Sequence, residues 1–361
     1  MSQARVAGPV KIVGTGLIGT SIGLALSQLG VRVLLADNSP AVVNLSVDFG
    51  AGEKFVAGVE PELVVVCVPP DVAKSVIEAE LIAHPAATVT DVSSVKATIV
   101  SELTTAGADL SRYVGSHPMA GREQSGALAG RSDIFTGRPW VICSSKASSK
   151  QSIALVEALA LDLGASITHL DAKDHDRAVA LVSHAPQLVA SLMAARLSDS
   201  GSKDVSLAGA GLRDTTRIAA SDPKLWIQIL AANSAEVAGV LEALKVDLDQ
   251  VLTSLKDVSK PGSLAAIGKL LESGNKGVAR IPGKHGQSAT EYAKVVVMID
   301  DKPGELARLL TEIGEIGINL EDLTLEHATG AAVGLPELYV LPAEGEKLVS
   351  SLSSRGWKIV G

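Results

Sequence analysis

The sequence predicts an α/β protein with a doubly wound parallel sheet, followed by an all-helical segment and a small α+β module. Three observations carry this. Apolar strand-like runs (VKIVG, VRVLLAD, LVVVCVPP, TVTDVSS, RYVGSHP and WVICSS) alternate with helical patterns over the first part of the chain, as in sheets buried on both faces. From Asp174 to about Ser273, alanine- and leucine-rich segments run at helical spacing with few strand signals. The tail then returns to KVVVMID, PGELARLLTEIGEIG, INLEDLTLEH and ELYVLP, a strand, helix, strand alternation ended by one more helix and strand.

These patterns divide the 361 residues into several cores, more than one ordinary core can hold. The sheet domain is expected over residues 1–171, where SITHLD closes it after the Ser/Lys-rich turn SSKASSK. A helical domain follows over 172–278, with more apolar surface than one chain covers, so a homodimer is expected through it. A Gly-, Lys- and Pro-rich linker occupies 279–291 and carries Lys284 and His285, candidates for communication along the chain. The last module, 292–361, is about the smallest size that supports its own core.

Composition narrows the partners. The net charge of −8 provides no basic footprint for nucleic acid, and aromatics, at 2%, are too few for base-stacking platforms. An anionic small substrate would then need a local cationic pocket, which makes individual arginines informative. The two cysteines, Cys67 in VVVCVPP and Cys143 in WVIC, read as buried strand thiols. MSQARVAGPVK lacks the long apolar stretch of a signal peptide, and no uninterrupted apolar run approaches the ~20 residues of a membrane span. A reduced, cytoplasmic protein is expected.

The segment VKIVGTGLIGTSIGLAL places Gly14-x-Gly16-x-x-Gly19 between a strand and a helix. Gly14 permits the tight turn, Gly16 the approach of a pyrophosphate, and Gly19 close helix–strand packing, with the anion at the positive end of the helix. This is the Rossmann-type arrangement. The second strand ends at Asp37, about 20 residues on, where a carboxylate accepts from both ribose hydroxyls and repels a 2′-phosphate. NAD is therefore the expected cofactor, with contacts at Gly14, Gly16, Leu17, Ile18, Gly19, Asp37, Val68 and Pro69; Arg32, Asn38 and Ser39 are the residues that could relax this toward NADP.

Seven histidines occur, and context sorts them. His84 in a polar loop, His169 on a strand and His327 in the tail read as structural, and His175, in the acidic helix start DAKDHD, reads as solvated. His117 differs, because it follows RYVG at the carboxyl edge of the sheet, where ligands of such sheets bind. A neutral imidazole there can take a hydroxyl proton while a hydride leaves for nicotinamide. Ser94 in DVSSVK ends the preceding strand and either hydrogen-bonds the same hydroxyl or caps the next helix. Arg213 and Arg217 are four apart in GLRDTTRIAASDPKLW, so one helix would put both on one face, either as a grip for a dicarboxylate or as a solvated basic face. No metal site is read.

Together GTGLIGTSIG, DVSSVK, GSHPMAG, HDRAVALVSHAPQ and RDTTRIAASDPKLW resemble, in order, the prephenate and arogenate dehydrogenases of tyrosine biosynthesis over about Val10–Leu271, and IDDKPGELARLLTEIGEIGINLEDL resembles an ACT domain, a ferredoxin-like amino-acid-sensing module. The resemblance implies oxidative decarboxylation of prephenate to 4-hydroxyphenylpyruvate, or alternatively of arogenate to tyrosine. It implies His117 as hydroxyl acceptor, Ser94 as its partner, Arg217 as main carboxylate binder with Arg213 beside it, and His184, Gln187, Glu123 and Trp226 around the substrate. Gln187 stands where prephenate-using relatives often have a second histidine, and Pro186 is expected to kink its helix. Asp301, Gly304 and Asn319 match positions around an effector pocket, with tyrosine as the implied effector. Two other readings remain. A hydroxyacid dehydrogenase would share the glycine turn without needing TRIAASDP or SHAPQ, and a non-catalytic NAD and amino-acid sensor would not need His117 or Arg217.

Overall fold

The computed structural model describes residues 3–121, 126–281, 292–327 and 333–360. Glu123, Lys284 and His285 lie outside the described residues. By compactness the chain divides into two units, residues 1–245 and 246–361.

The first unit opens with β1 (Val10–Val13), α1 (Leu17–Gln28), β2 (Val33–Ala36), α2 (Pro40–Asp48), β3 (Glu53–Lys54), β4 (Leu63–Val66), α3 (Pro70–Ala83), β5 (Thr88–Asp91) and α4 (Ala97–Thr105). It continues through β6 (Tyr113–Pro118), β7 (Pro139–Cys143), α5 (Lys150–Asp162) and β8 (Ser166–His169). The strands form one sheet in the order β3-β2-β1-β4-β5-β6-β7-β8. Strand order reverses between β1 and β4, the switch point at which such sheets bind ligands beyond their carboxyl ends. Two strands depart from the expected parallel sheet: β7 runs antiparallel to β6, and β8, parallel to β7, shares its reversed sense. The chain reaches β7 by a loop from the carboxyl end of β6, whereas β7 and β8 are joined by α5 in the usual crossover.

Central strands β1 and β4 are almost entirely buried, and two apolar layers cover the sheet. One contains Ile12, Ile22, Leu35, Phe135 and Trp140, the other Val64, Val66, Ile77, Leu103 and Tyr113. Cys67 follows β4 and Cys143 ends β7, both as free thiols; burial pushes the Cys143 thiol up to about 12 and Cys67 higher still, so neither is a nucleophile at neutral pH. His84 is buried with Lys11 and Glu80, its Nδ1 3.2 Å from Glu60, and His169 sits 3.2 Å from Glu157. Both are structural, as expected.

Asp171 ends the sheet domain by accepting from the backbone N–H of Asp174, so the next helix begins there. That helix comprises α6 (Ala172–Val179), a π-helical turn at Ala180–His184 and α7 (Ala185–Leu197). Pro186 removes one amide from the ladder, and the helix absorbs the loss as a widened turn just before it. At 26 residues this helix is long and apolar enough to cross a membrane, contrary to the expectation from uninterrupted runs. Its most apolar window is 33% buried, and His175, Asp176, His184 and Gln187 along it are buried and hydrogen-bonded within the unit. The helices α8 (Ser202–Val205), α9 (Ala210–Thr216), α10 (Pro223–Ala232) and α11 (Ser234–Lys256) follow.

The second unit contains α12 (Ser263–Val278) and then β9 (Ala293–Asp300), α13 (Glu305–Ile316), β10 (Asp322–His327), β11 (Val333–Val340), α14 (Gly345–Ser354) and β12 (Lys358–Ile359). The strands form an antiparallel sheet in the order β10-β11-β9-β12. This βαββαβ order is ferredoxin-like, as the tail pattern predicts. Its core joins Val295, Val297, Leu309, Ile313, Leu338, Leu348 and Trp357.

Candidate active site

The glycine turn lies between β1 and α1. Gly14 has φ +97°, and a Cβ on it would collide with the Cys67 carbonyl at the end of β4, with Val68 just beyond. A Cβ on Gly19 would overlap the Gly14 carbonyl, so the helix approaches the strand as closely as backbones allow, while Gly16 faces open space. The cradle therefore leaves room for a pyrophosphate where Gly16 caps α1, and the first amides of that helix, at Leu17 and Ile18, head the turn. Asp37 follows β2; its carboxylate accepts from the Thr15 N–H at 2.8 Å and the Ser39 N–H at 2.9 Å. Arg32 turns to Glu53 instead, at 2.6 Å. Pro69 caps α3, and these groups together fit a dinucleotide whose ribose meets a carboxylate.

His117 belongs to β6 itself, one residue from its carboxyl end, rather than following it. Its Nδ1 is 2.9 Å from Nε2 of His175, and Nδ1 of His175 is 2.7 Å from Oδ1 of Asp176. His175 is fully buried, which corrects the expectation that it is solvated. The acidic composition of DAKDHD suits water, but at its place in α6 this residue faces the sheet. Asp176 also accepts from the Lys96 N–H and the Ala97 N–H, both at 2.8 Å, at the start of α4. Lys96 is completely buried and ion-paired with Asp91, which also accepts from the Tyr113 hydroxyl at 2.7 Å. Burial, reinforced by His175, Lys96 and His184, holds His117 well below the usual histidine range. At neutral pH it is an uncharged imidazole able to accept a proton.

Ser94 lies on the loop between β5 and α4, half-buried, and among the described residues no hydrogen bond joins it to His117. Nor does it cap α4, whose preceding residue is Lys96 and whose first amide is taken by Asp176. His184, on the π-helical turn, is buried, and its Nδ1 lies 3.1 Å from Nδ2 of Asn233. An amide NH₂ only donates, so His184 Nδ1 accepts and Nε2 carries the proton. Burial lowers His184 to about 4. Asn233 also donates to the Asp176 carbonyl at 2.8 Å and so ties the end of α10 to α6. Composition gave no signal for Asn233; its role arises from two elements meeting. Trp226 stands edge-on to His184, with ring centroids 6.1 Å apart. Gln187 donates from Nε2 to the Ser221 hydroxyl at 2.7 Å and to Ser191 at 3.4 Å, which leaves Oε1 as its acceptor.

The arginines are less regular than expected. Helix α9 ends at Thr216, and Arg217 opens a 3-10 turn, so Arg213 and Arg217 do not share one continuous α-helical face. The TRIAASDP segment tightens there before Asp222 caps α10 by accepting from the Lys224 N–H. Both arginines are exposed. In the second unit Gly304, at φ +92°, begins α13 next to Asp301, while Asn319 follows the other end of that helix and donates to Glu321. A helix of 12 residues is about 18 Å long, so one module does not bring these residues together.

Comparison with known proteins agrees with this geometry. The family model for the prephenate dehydrogenase nucleotide-binding domain matches residues 22–169, and that for the prephenate dehydrogenase dimerization domain matches 171–268. A probable prephenate dehydrogenase of Streptomyces niveus is 37% identical over 353 residues, covering 96% of this chain and 98% of its own length. The crystal structure of an Aquifex aeolicus prephenate dehydrogenase in complex with hydroxyphenyl propionate and NAD+ is similar at TM-score 0.66 and 25% identity, covering 76% of this chain and 98% of that one. A Synechocystis arogenate dehydrogenase shares the fold at TM-score 0.61 and 23% identity, over 74% and 99% of the two chains.

The His184 geometry sets a pH dependence. A histidine held neutral to about 4 in the folded chain takes up a proton near 6.5 once unfolded. Its contribution to stability is therefore complete above about 6.5 and is lost as pH falls toward 4. Thermal melts between pH 7 and 4.5 should show a smaller loss of Tm for His184→Asn than for the unsubstituted chain; identical slopes would contradict this.

With its glycine turn, its buried histidine chain and its two family-model matches in one polypeptide, the chain belongs to the prephenate dehydrogenase family.

Proposed function

We propose that this chain is an NAD-dependent prephenate dehydrogenase, which converts prephenate to 4-hydroxyphenylpyruvate and carbon dioxide. The observation that carries this is a neutral, half-buried His117 at the carboxyl end of β6, with Nδ1 engaged by His175 and Nε2 making no hydrogen bond among the described residues. NAD, when bound over the glycine turn, supplies the hydride acceptor. Nε2 of His117 takes the hydroxyl proton as the carbon–hydrogen bond at that ring carbon breaks. Loss of the ring carboxylate as carbon dioxide leaves its electron pair to complete the aromatic ring, and the phenolate oxygen recovers the proton. The chain then needs only to align the ring, accept the proton and hold two carboxylates. Asp37, with Arg32 tied to Glu53, supports NAD over NADP.

In this reading Arg217 grips a substrate carboxylate, with Arg213 as a second cation, and Ser94 lies on the loop that borders the reacting ring. His184 donates from Nε2, and Trp226 packs behind it. One observation favours a second substrate: Gln187 has spent its amide hydrogens on Ser221 and Ser191, and its remaining acceptor suits the ammonium of arogenate. The domains follow the helix signals: 1–171 binds the dinucleotide, 172–278 forms the helical substrate and dimer region, 279–291 links, and 292–361 is an ACT-like regulatory module. Exposed Leu181, Val182, Leu192, Leu207 and Ile227 on the helical segment support a homodimer. Two reduced cysteines support a cytoplasmic location. Tyrosine is the proposed effector, in a pocket that needs a second copy of the module to bring Asp301 and Gly304 near Asn319.

NADH formation from prephenate and from arogenate, measured side by side, tests the activity; production from neither would overturn it. Arg217→Ala should raise the prephenate KM at least about tenfold, the loss of one charge-assisted hydrogen bond, and leave the NAD KM unchanged. Millimolar tyrosine should alter turnover or Tm in the full chain but not after Gly304→Val, and no effect in the full chain would remove the regulatory reading.

A further inference from the structure

Proton acceptance at His117 needs a particular tautomer, and the buried chain behind it dictates which. Asp176 accepts from the backbone N–H groups of Lys96 and Ala97 and has its Oδ1 2.7 Å from Nδ1 of His175. A carboxylate that already receives two fixed amide donors serves His175 only as an acceptor, so Nδ1 of His175 is the nitrogen that carries the proton. In a neutral ring that makes Nε2 of His175 an acceptor. Among the described residues its one hydrogen-bonding partner is Nδ1 of His117, at 2.9 Å, which must therefore donate. The lone pair of His117 is left on Nε2. The two rings stand nearly edge to face, with an interplanar angle of 76°, so the contact also sets the rotation of the His117 ring.

The anchor for this order lies outside both histidines. The α4 amides are fixed by that helix, and the Asp176 backbone carbonyl is held by Asn233. The Lys96 ammonium is occupied by Asp91, and among the described residues no ion pair joins it to Asp176. His184, the other ionisable ring nearby, is engaged by Asn233. Nothing among the described residues other than His175 contacts His117 through a ring nitrogen.

We propose that His175 and Asp176 act as a positioning pair that holds His117 in its Nδ1–H tautomer, with Nε2 aimed as the proton acceptor. This rests on the reading of His117 as that acceptor. Neither positioning residue touches the reacting atoms; both act through His117, and the second-layer pairing resembles in logic the carboxylate that orients a catalytic imidazole elsewhere.

The test uses the full chain. His175→Leu should lower kcat for prephenate by about 10²-fold, within the range of general-base contributions, while the KM values for prephenate and NAD change less than about threefold. His175→Gln, whose amide can donate to Asp176 and accept from His117, should recover most of that loss. Nitrogen-15 NMR of histidine-labelled protein should show His117 protonated at Nδ1, with the population moving toward Nε2 in Asp176→Asn. A His175→Leu variant with unchanged kcat and an unchanged His117 tautomer would overturn the proposal, provided His117→Asn abolishes turnover. If His117→Asn itself stays active, the failure belongs to the assignment of the base. Thermal melts identify a variant that fails to fold, and the NMR tautomer of Asp176→Asn then decides alone.

Discussion

The carboxylate of Asp176 is the point on which the catalytic region depends. It sits on the second turn of α6 and takes the opening amides of α4, so it fastens the helical segment to the sheet domain. The same group reaches His175 and through it His117, at the edge where β6 delivers the ring. One buried charge thus satisfies a helix start, joins two layers and, in the proposed mechanism, sets the polarity of a proton path. A buried carboxylate is costly unless its lone pairs are filled. Here amide donors and an imidazole fill them, and the cost is offset by alignment that no surface contact would provide.

The second buried pair, Lys96 with Asp91, works beside the first. Lys96 contributes its backbone to Asp176 and its ammonium to Asp91, which Tyr113 completes. Its positive charge close to His117, in a region of low polarisability, disfavours a second cation on that ring. Burial, the larger cause, acts in the same direction, so the His117 ring stays uncharged. His184 is kept neutral by burial, and its Nδ1 accepts from Asn233, which leaves the proton on Nε2. Two histidines thus take opposite hydrogen-bonding roles because different neighbours hold their Nδ1 atoms.

Much of this was legible in the residues. The glycine turn, the alternation of runs and the βαββαβ tail follow from backbone geometry and periodicity, which local sequence encodes directly. His117 was accessible because a histidine at a strand's carboxyl end has few structural excuses. His175 was not, since its neighbours in sequence are acidic and polar while its neighbours in space come from β6. The reversed strand β7 was equally hidden: WVIC reads as a buried strand in either direction, and only pairing fixes its sense. Arg213 and Arg217 fit a helical spacing that the TRIAASDP turn interrupts. Asn233 and Ser221 emerged only because α10 and its leading loop fold back on the long helix.

The central claim is that Nε2 of His117 accepts the proton whose departure accompanies hydride transfer and loss of carbon dioxide. Simultaneous measurement of NADH and carbon dioxide from prephenate, with the unsubstituted chain and with His117→Asn, tests it most directly. The account predicts equal amounts of both products from the former, and a loss of at least about 10²-fold in both from the latter with NAD binding retained. NADH and carbon dioxide formed by His117→Asn at the unsubstituted rate would contradict it.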